Sequence, residues 1–419
     1  MSNKIFSYEN KLLLLLSFIF GFVLFDRMAL NFLVPFFDKE LGLNNTQIGL
    51  LASLLALAWA ISGYTVGTLS DKTGKRKKYL LISVTIFSVC SFISGLAASF
   101  AFLLVARIVM GFAEGPVLPL AQSLMVSASA EKRRGFNMGF MQSFGSNLLG
   151  TMLAPVILVA LATSFGWRNA FFIAGVPGLI LALLAFFTIQ ETPVVPKEKK
   201  QKANVADLIK YRNVWVAILL SCCMMTWMFA QITFMPKFLI EIKQFSHDDM
   251  GKTMAAFGLG AIIWGAVVPA LSDKLGRKPM VIFFFLVSML MPLSVVYAGN
   301  VFSTVALLVL IGATTMGCFP IVLATIPSET VPRQYLAQTL GMIMGIGEIV
   351  GGFAAPAIAG WSADRFGLQA PFLIAAGAAL TAGCIAFLLI ETAPVKVKKR
   401  KQDIEILDNG ILEPQILNS

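Results

Sequence analysis

Charge is scarce in this sequence. Of 419 residues, 13% are Asp, Glu, Lys or Arg and a single one, His247, is histidine, whereas a typical soluble domain carries about 25% charged residues. With 57% hydrophobic residues and a mean hydropathy of +0.81, the chain cannot present a water-facing surface over most of its length, which excludes a soluble globular protein. Catalytic signatures are missing as well. There is no HExxH, no GxSxG and no phosphate-binding loop, so no metal, serine or nucleotide site of recognisable kind, and the chain is not expected to be an enzyme. The five cysteines, Cys90, Cys222, Cys223, Cys318 and Cys384, lie inside apolar stretches without CxxC spacing. They form neither a zinc site nor a secreted disulfide framework.

What the sequence does have is long apolar runs. A membrane-spanning helix takes about 20 mostly apolar residues, and twelve such runs follow one another at 11–37, 46–70, 79–98, 101–127, 135–163, 169–189, 211–240, 250–271, 279–298, 302–326, 337–362 and 370–390. The first lacks a small-residue cleavage site and reads as a retained helix rather than a signal peptide. Between the sixth and seventh runs, the stretch from Glu191 to Tyr211 carries Pro193, Pro196 and a lysine run. The expected units are therefore a first bundle over 1–190, a linker over 191–210, a second bundle over 211–391 and a polar tail over 392–419.

The net charge of +11 does not point to nucleic acid, whose binders gather basic residues on one accessible face. Here the basic residues fall in alternate loops: Lys72 to Lys78, Lys132 to Arg134, Lys197 to Lys202, Lys274 to Lys278 and Lys396 to Lys401. Positive charge marks the cytoplasmic side of short loops. Both termini and the central linker are thus expected in the cytoplasm of a bacterial inner membrane, with Asp38 to Thr46 and Glu241 to Lys252 outside. His247 falls in such an outer loop and is read as solvated. Asn44-Asn45-Thr46 matches a glycosylation sequon, a motif too short to carry weight alone.

The two sides of the chain repeat each other. Leu69-Ser70-Asp71-Lys72 recurs as Leu271-Ser272-Asp273-Lys274, Ala154-Pro155 as Ala355-Pro356, Phe165-Gly166 as Phe366-Gly367 and Glu191-Thr192 as Glu391-Thr392, always 200 to 202 residues apart. Four matches at nearly constant offset indicate duplication, and duplicated halves can rock about a shared central site.

Gly67-x-Leu69-Ser70-Asp71-Lys72-x-Gly74-Lys75-Arg76-Lys77 resembles the signature loop of the major facilitator superfamily, and its second-half copy has Pro269 in place of Gly67. Arg107-x-x-x-Gly111-x-x-Glu114-Gly115 is similar to the family's second motif, and Ser328-Glu329-x-x-Pro332 is also similar. The resemblance runs from about Leu12 to Glu391. It implies an all-α membrane protein with twelve transmembrane helices in two pseudo-symmetric six-helix bundles, the major facilitator fold. It also implies that Gly67, Asp71, Arg76 and Asp273 belong to a conformational latch, with Arg134 available as a partner, which stabilises the outward-open state and does not touch substrate. Within the superfamily, Asp26-Arg27, Arg107 with Glu114-Gly115-Pro116, and Pro236-x-Phe238-Leu239 resemble the anion:cation symporters, the galactonate, hexuronate and sialic acid transporter type. Spinster-like lipid transporters share similar Asp-Arg and Arg-Glu pairs. The stretch from Gly150 to Pro155 does not reproduce the Gly-Pro signature of drug–proton antiporters.

Five charges lie deep inside the apolar runs: Asp26, Arg27, Arg107, Glu114 and Glu348. A charge at the bilayer centre costs about 2.5–3.5 kcal/mol on insertion scales, so retained ones usually face a cavity and a partner. Arg107 and Glu114 are two turns apart on one face and Arg27 shares a face with Asn31, while Asp26 is rotated by about 100° from Arg27. If the first and fourth helices are neighbours, as the resemblance implies, Arg27 and Glu114 can meet. An organic anion arriving on the Arg27 guanidinium would then release a carboxylate that is easier to protonate. Asp26 and Glu114 are accordingly the expected proton-coupling residues. Arg27, Asn31, Arg107, Gln142, Asn147, Trp227, Gln231 and Glu348 are the expected substrate-binding residues. Each also has a plainer reading as a packing or helix-pairing residue, and Trp59, Tyr64 and Trp264 are read as packed or interfacial. Glu348 stays open between an ammonium-binding group, a second protonation site and a partner for Lys237. The expected function is secondary active transport, proton-coupled symport of a small organic anion by alternating access, without cofactor and driven by a proton gradient. Its partners would be a small-molecule substrate, protons and membrane lipids, with the chain a monomer and no nucleic acid involved. A lysolipid or lipid transporter of Spinster-like kind, or an exporter of an amphiphilic or zwitterionic solute, is the alternative.

Overall fold

A computed structural model describes residues 7–191 and 208–397. The linker expected at 191–210 and the tail at 392–419 fall mostly outside the described residues. Eleven helices among these are long and apolar enough to cross a membrane, and a twelfth has 17 residues. In chain order they are α1 (Tyr8–Phe37), α2 (Asn45–Thr73), α3 (Arg76–Gly95), α4 (Phe100–Ala128), α5 (Glu131–Phe165), α6 (Trp167–Thr188), α7 (Arg212–Glu241), α8 (His247–Leu275), α9 (Arg277–Tyr297), α10 (Phe302–Thr330), α11 (Gln338–Phe366) and α12 (Ala370–Ala386). The chain is an integral membrane protein with the expected fold.

Short polar signals set the helix ends. Asn44 caps α2, its side chain accepting from the Gln47 amide at 2.8 Å while Gln47 returns a bond to the Asn44 amide. This capping box satisfies two donors that a helix start leaves orphaned, and it gives the sequon residue a structural job. Gly74 ends α2 in the left-handed region, at φ 72°, where a side chain would be strained. The repeated Glu-Thr pairs cap helices too. Glu191 accepts from the Lys77 amide at 3.1 Å and Glu391 from the Arg277 amide at 2.8 Å, so each half ends by placing a carboxylate on the positive end of its third helix.

Prolines shape the helix interiors. Pro155, Pro327 and Pro356 each follow a wider π-helical stretch, Phe144–Leu153, Ile321–Thr325 and Glu348–Ala354. A proline cannot donate to the carbonyl four residues back and its ring crowds that carbonyl. The widened turn is a local way to re-satisfy the freed backbone groups in lipid. At the offset of 201 set by Ala154-Pro155 and Ala355-Pro356, the counterpart of Glu348 is Asn147. Both occupy π stretches of the helices that face the opposite half.

Between the halves, α2 packs on α11 and α5 on α8, with α1 against α7. The contacts lie at the end away from the basic loops. A Cβ at Gly49 would collide with the Pro356 carbonyl, one at Gly360 with the Asn45 carbonyl, and one at Gly258 with Thr151. By contrast, Gly67, Gly135, Gly139, Gly265, Gly341 and Gly345, towards the basic-loop end, face open space. The apolar core follows the same division. One cluster joins residues of both halves, from Phe25 and Phe37 to Met225 and Phe372, whereas two further clusters, around Leu16 and Phe87 and around Leu220 and Phe285, each stay within one half. The molecule is closed at one end and forked at the other.

Polar bonds fasten the closed end. Lys237 of α7 pairs with Asp38 beyond α1 at 2.9 Å, both side chains under 10% exposed. Asp364 of α11 accepts from the Asn45 and Thr46 amides at 2.9 and 2.8 Å and from the Thr46 hydroxyl at 2.6 Å, a carboxylate of one half sitting on the helix start of the other. His247 is not simply solvated. Its ring lies 4.1 Å from that of Phe36, again across the halves. Within the first half, the Trp167 indole and Arg168 hold the Glu40 carboxyl below its ordinary pKa and so tie the α1–α2 loop to α6.

Candidate functional site

The five buried charges gather where the core forks. Arg27 of α1 donates to Glu348 of α11 at 2.6 Å, with side-chain exposures of 8% and 5%. The Arg27 guanidinium lies 5.2 Å from the ring centre of Trp59 on α2 and 5.3 Å from that of Phe229 on α7. Four helices of the two halves thus converge on one cation. A desolvated guanidinium between aromatic faces gains up to about 2 kcal/mol per good contact, and its planar fork is fixed for two-point recognition of a carboxylate. A small pocket opens beside it, lined by Arg27, Met28, Asn31, Ala52, Leu55 and Phe229 among others. Asn31 lines this pocket, and its buried Oδ1 atom has no hydrogen-bond partner among the described residues.

Behind Arg27 sits the rest of the cluster. Glu114 is fully buried, and neither carboxylate oxygen has a hydrogen-bond partner among the described residues. Its charged neighbours are Arg27, Asp26 and Arg107. Asp26 turns away from Arg27, as the helical phase requires, and accepts from the Ser91 hydroxyl at 2.9 Å. Arg107 reaches the Asp26 carbonyl at 3.4 Å and lies 5.2 Å from the Phe171 ring centre. Gly111, between Arg107 and Glu114, lets α4 approach the backbone of α2 at Leu55.

Several of the expected contacts are not formed. Arg27 spends its short ion pair on Glu348 and not on Glu114. Glu348 does not reach Lys237, which pairs with Asp38 and, at 3.9 Å, with Glu241. Trp227 and Gln231 are fully buried within the second half, the indole donating to the Ser288 carbonyl at 3.2 Å and the Gln231 amide to the Trp227 carbonyl at 3.1 Å. They support α7 and do not open on the pocket. Gln142 is exposed on α5, while Asn147 is half-buried in the π stretch. Trp59, expected to be a packed or interfacial aromatic, lies against the Arg27 guanidinium, as does Phe229, which the sequence did not single out. Their signal is weak, because aromatic residues are common in apolar helices and nothing local marks which ones face a cation.

The residues that the family resemblance makes candidates for a latch occupy the forked end. Asp71 stands in the last turn of α2 and Gly67 one turn earlier, where a Cβ would meet nothing. Arg76 is buried at the start of α3. Arg134 pairs at 3.9 Å with Glu131, a short-range surface contact. In the second half the arrangement is fully drawn: Arg277 binds Asp273 at 2.6 Å and Glu329 at 3.0 Å. Ser328-Glu329 thereby finds its role, tying the end of α10 to the α8–α9 turn.

Residues 16–355 match the family model described as Major Facilitator Superfamily. The chain belongs to that superfamily. It is a transporter, not an enzyme. A probable sulfoacetate transporter of Cupriavidus necator is 27% identical over 392 residues, covering 87% of this chain and 90% of that protein. The hexuronate transporter of Bacillus subtilis is 27% identical over 407 residues, covering 90% and 94%. Among solved structures, a bacterial homologue of the human lysosomal transporter Spinster, inward-facing and occupied, superposes with a TM-score of 0.74 at 18% identity over 91% of this chain and 96% of that one. At that identity the likeness speaks for the fold.

Proposed function

We propose that this superfamily member is a secondary active transporter that carries a small organic anion, a sugar acid or another carboxylate, together with protons. The observation that carries the reading is Arg27 at the fork, held between two aromatic rings and already gripping a carboxylate of the opposite half at 2.6 Å. A site that binds an internal carboxylate has the chemistry to bind a substrate's. The names of the relatives, a sulfoacetate and a hexuronate transporter, support the same substrate class.

Charge balance supports the protons. Asp26, Glu114 and Glu348 face Arg27 and Arg107, three carboxyls against two guanidiniums, so the ionised cluster carries a net −1. An entering anion would make it −2 in a medium that tolerates charge poorly. Protonation of a carboxyl, with Asp26 and Glu114 the candidates buried behind Arg27, offsets that charge. A proton gradient supplies the energy and no cofactor is needed. The basic loops support a forked end in the cytoplasm of a bacterial inner membrane, on the side of both termini, and hence a conformation open inward. The two bundles, 1–190 and 211–391, rock about the Arg27 seam in a monomer.

The test is uptake into liposomes by the purified protein, with an inward proton gradient and a panel of hexuronates, sulfonates, dicarboxylates and amino acids. Gradient-stimulated uptake of an acid is expected, with Glu114→Gln losing at least tenfold of the stimulation while substrate binding persists. Movement of lysolipids or cations with no movement of any acid would refute the reading.

A further inference from the structure

Glu348 is the carboxyl of the cluster to which the general scheme gives no proton. It lies in the second half, 321 residues from Arg27, at the first residue of a π stretch, and it bonds the very group that a substrate anion would need. Its surroundings hold few other charges. On α11 itself the remaining charges are Asp364 and Arg365, more than four turns away. Those of α7, which packs against its π stretch, are Arg212, Lys237 and Glu241 at or near the helix ends, and those of α2 are Asp71 and Lys72 at its end. From α1 comes Arg27, with Asp26 turned towards Ser91, and behind Arg27 stands Glu114 of α4. Glu348 thus has one close cationic partner among the described residues, and that partner is shared with the cargo.

We propose that Glu348 is a tethered competitor of the substrate: it occupies Arg27 in the empty transporter, and when an organic monoanion takes the guanidinium, Glu348 leaves as the protonated acid. This rests on the anion reading above and adds to it a specificity-determining carboxyl in the second half. The balance is simple. The Arg27–Glu348 pair is neutral, the anion adds −1, and one proton from the open side binds the released carboxylate, so the pair with its cargo is neutral again and the net charge of the whole cluster is unchanged. A dianion leaves the site charged and is disfavoured. A zwitterion would satisfy both partners without any proton, and its binding would be independent of pH. Because the pair joins the two halves, its replacement by cargo also frees the seam at the moment the cargo arrives.

The experiment measures galacturonate binding to the full-length protein in nanodiscs between pH 5.5 and 8.5, with proton uptake on binding read in weakly buffered solution. The wild-type protein is expected to bind more tightly as pH falls and to take up protons as it binds. Glu348→Gln removes the competitor. Its affinity at pH 8.5 should rise about tenfold over wild type, its pH dependence should flatten, and proton uptake should fall by close to one per anion. Glu348→Asp, with a shorter reach to Arg27, should lie between the two. Weaker binding by Glu348→Gln, or an unchanged pH slope and proton count, overturns the proposal. Wild-type binding without proton uptake overturns it on its own, whether or not the variants fold. The anion reading itself fails separately: in that case galacturonate and sulfoacetate do not bind at any pH, while glycine betaine binds without pH dependence.

Discussion

At the scale of the residue, Arg27 has a task that lysine cannot take over. Its guanidinium lies flat enough to meet Trp59 and Phe229 while its edge bonds Glu348, and a lysine ammonium is a hydrated point charge with neither the plane nor the fork. Arg27→Lys should therefore keep the net charge of the cluster and still lose most transport, about tenfold or more in uptake at subsaturating substrate. Removing one ring, as in Trp59→Ala, removes a contact of about 1–2 kcal/mol, which corresponds to roughly a tenfold rise in Kd. Titration of the bound acid by calorimetry checks both. An Arg27→Lys protein with wild-type affinity would mean that the cation acts at a distance and that the aromatic frame is only packing.

At the scale of the element, proline sets the phase of the helices that carry the site. Because Pro356 cannot bond the Gly352 carbonyl, α11 widens over Glu348–Ala354, and a widened turn shifts all that precedes it by about one residue, near 100° around the axis. Pro356→Ala lets the helix close to a regular α-helix and should turn Glu348 off Arg27. Its galacturonate binding is expected to show the flattened pH dependence of Glu348→Gln, although the carboxyl is still present. A pH profile identical to wild type would show that the π turn is held by packing against Met225 and not by the proline. This phase shift also explains what the sequence could and could not tell. Twelve helices and the repeated loops after the second helix of each half were legible because lipid demands long apolar runs and the repeats sit at constant offset. The inventory of buried charges was legible for the same reason. Their pairing was not. Arg27 and Glu348 meet across the halves after 321 residues, a distance no local periodicity reports, and a regular helical wheel misplaces residues once a π turn intervenes. Trp227 and Gln231 failed differently: spacing gives a shared face on α7, but not whether that face meets the pocket or a neighbouring helix.

At the scale of the whole molecule, the closed end is a balance of contacts that must all break for the transporter to open there. The Asp38–Lys237 pair is buried on both sides, Asp364 rests on the start of α2, and the glycines at 49 and 360 bring α2 and α11 backbone to backbone. Removing one member of a buried pair costs the state that buries it about 3–5 kcal/mol, because the remaining charge stays desolvated. The state open at this end loses much less, since its charges regain water. Lys237→Met should therefore shift the population towards that state, whereas Asp38→Asn combined with Lys237→Met should return it part of the way, because no lone charge is left behind. Spin labels across α2 and α11, one pair at each end, read the two populations by their distance distributions. The same shift should follow from Gly49→Val by steric exclusion alone, with no dependence on salt or pH. If Lys237→Met leaves both distance distributions unchanged, the glycine contacts and the shared apolar core hold the closed end without the ion pair, and the rocking equilibrium is set by packing.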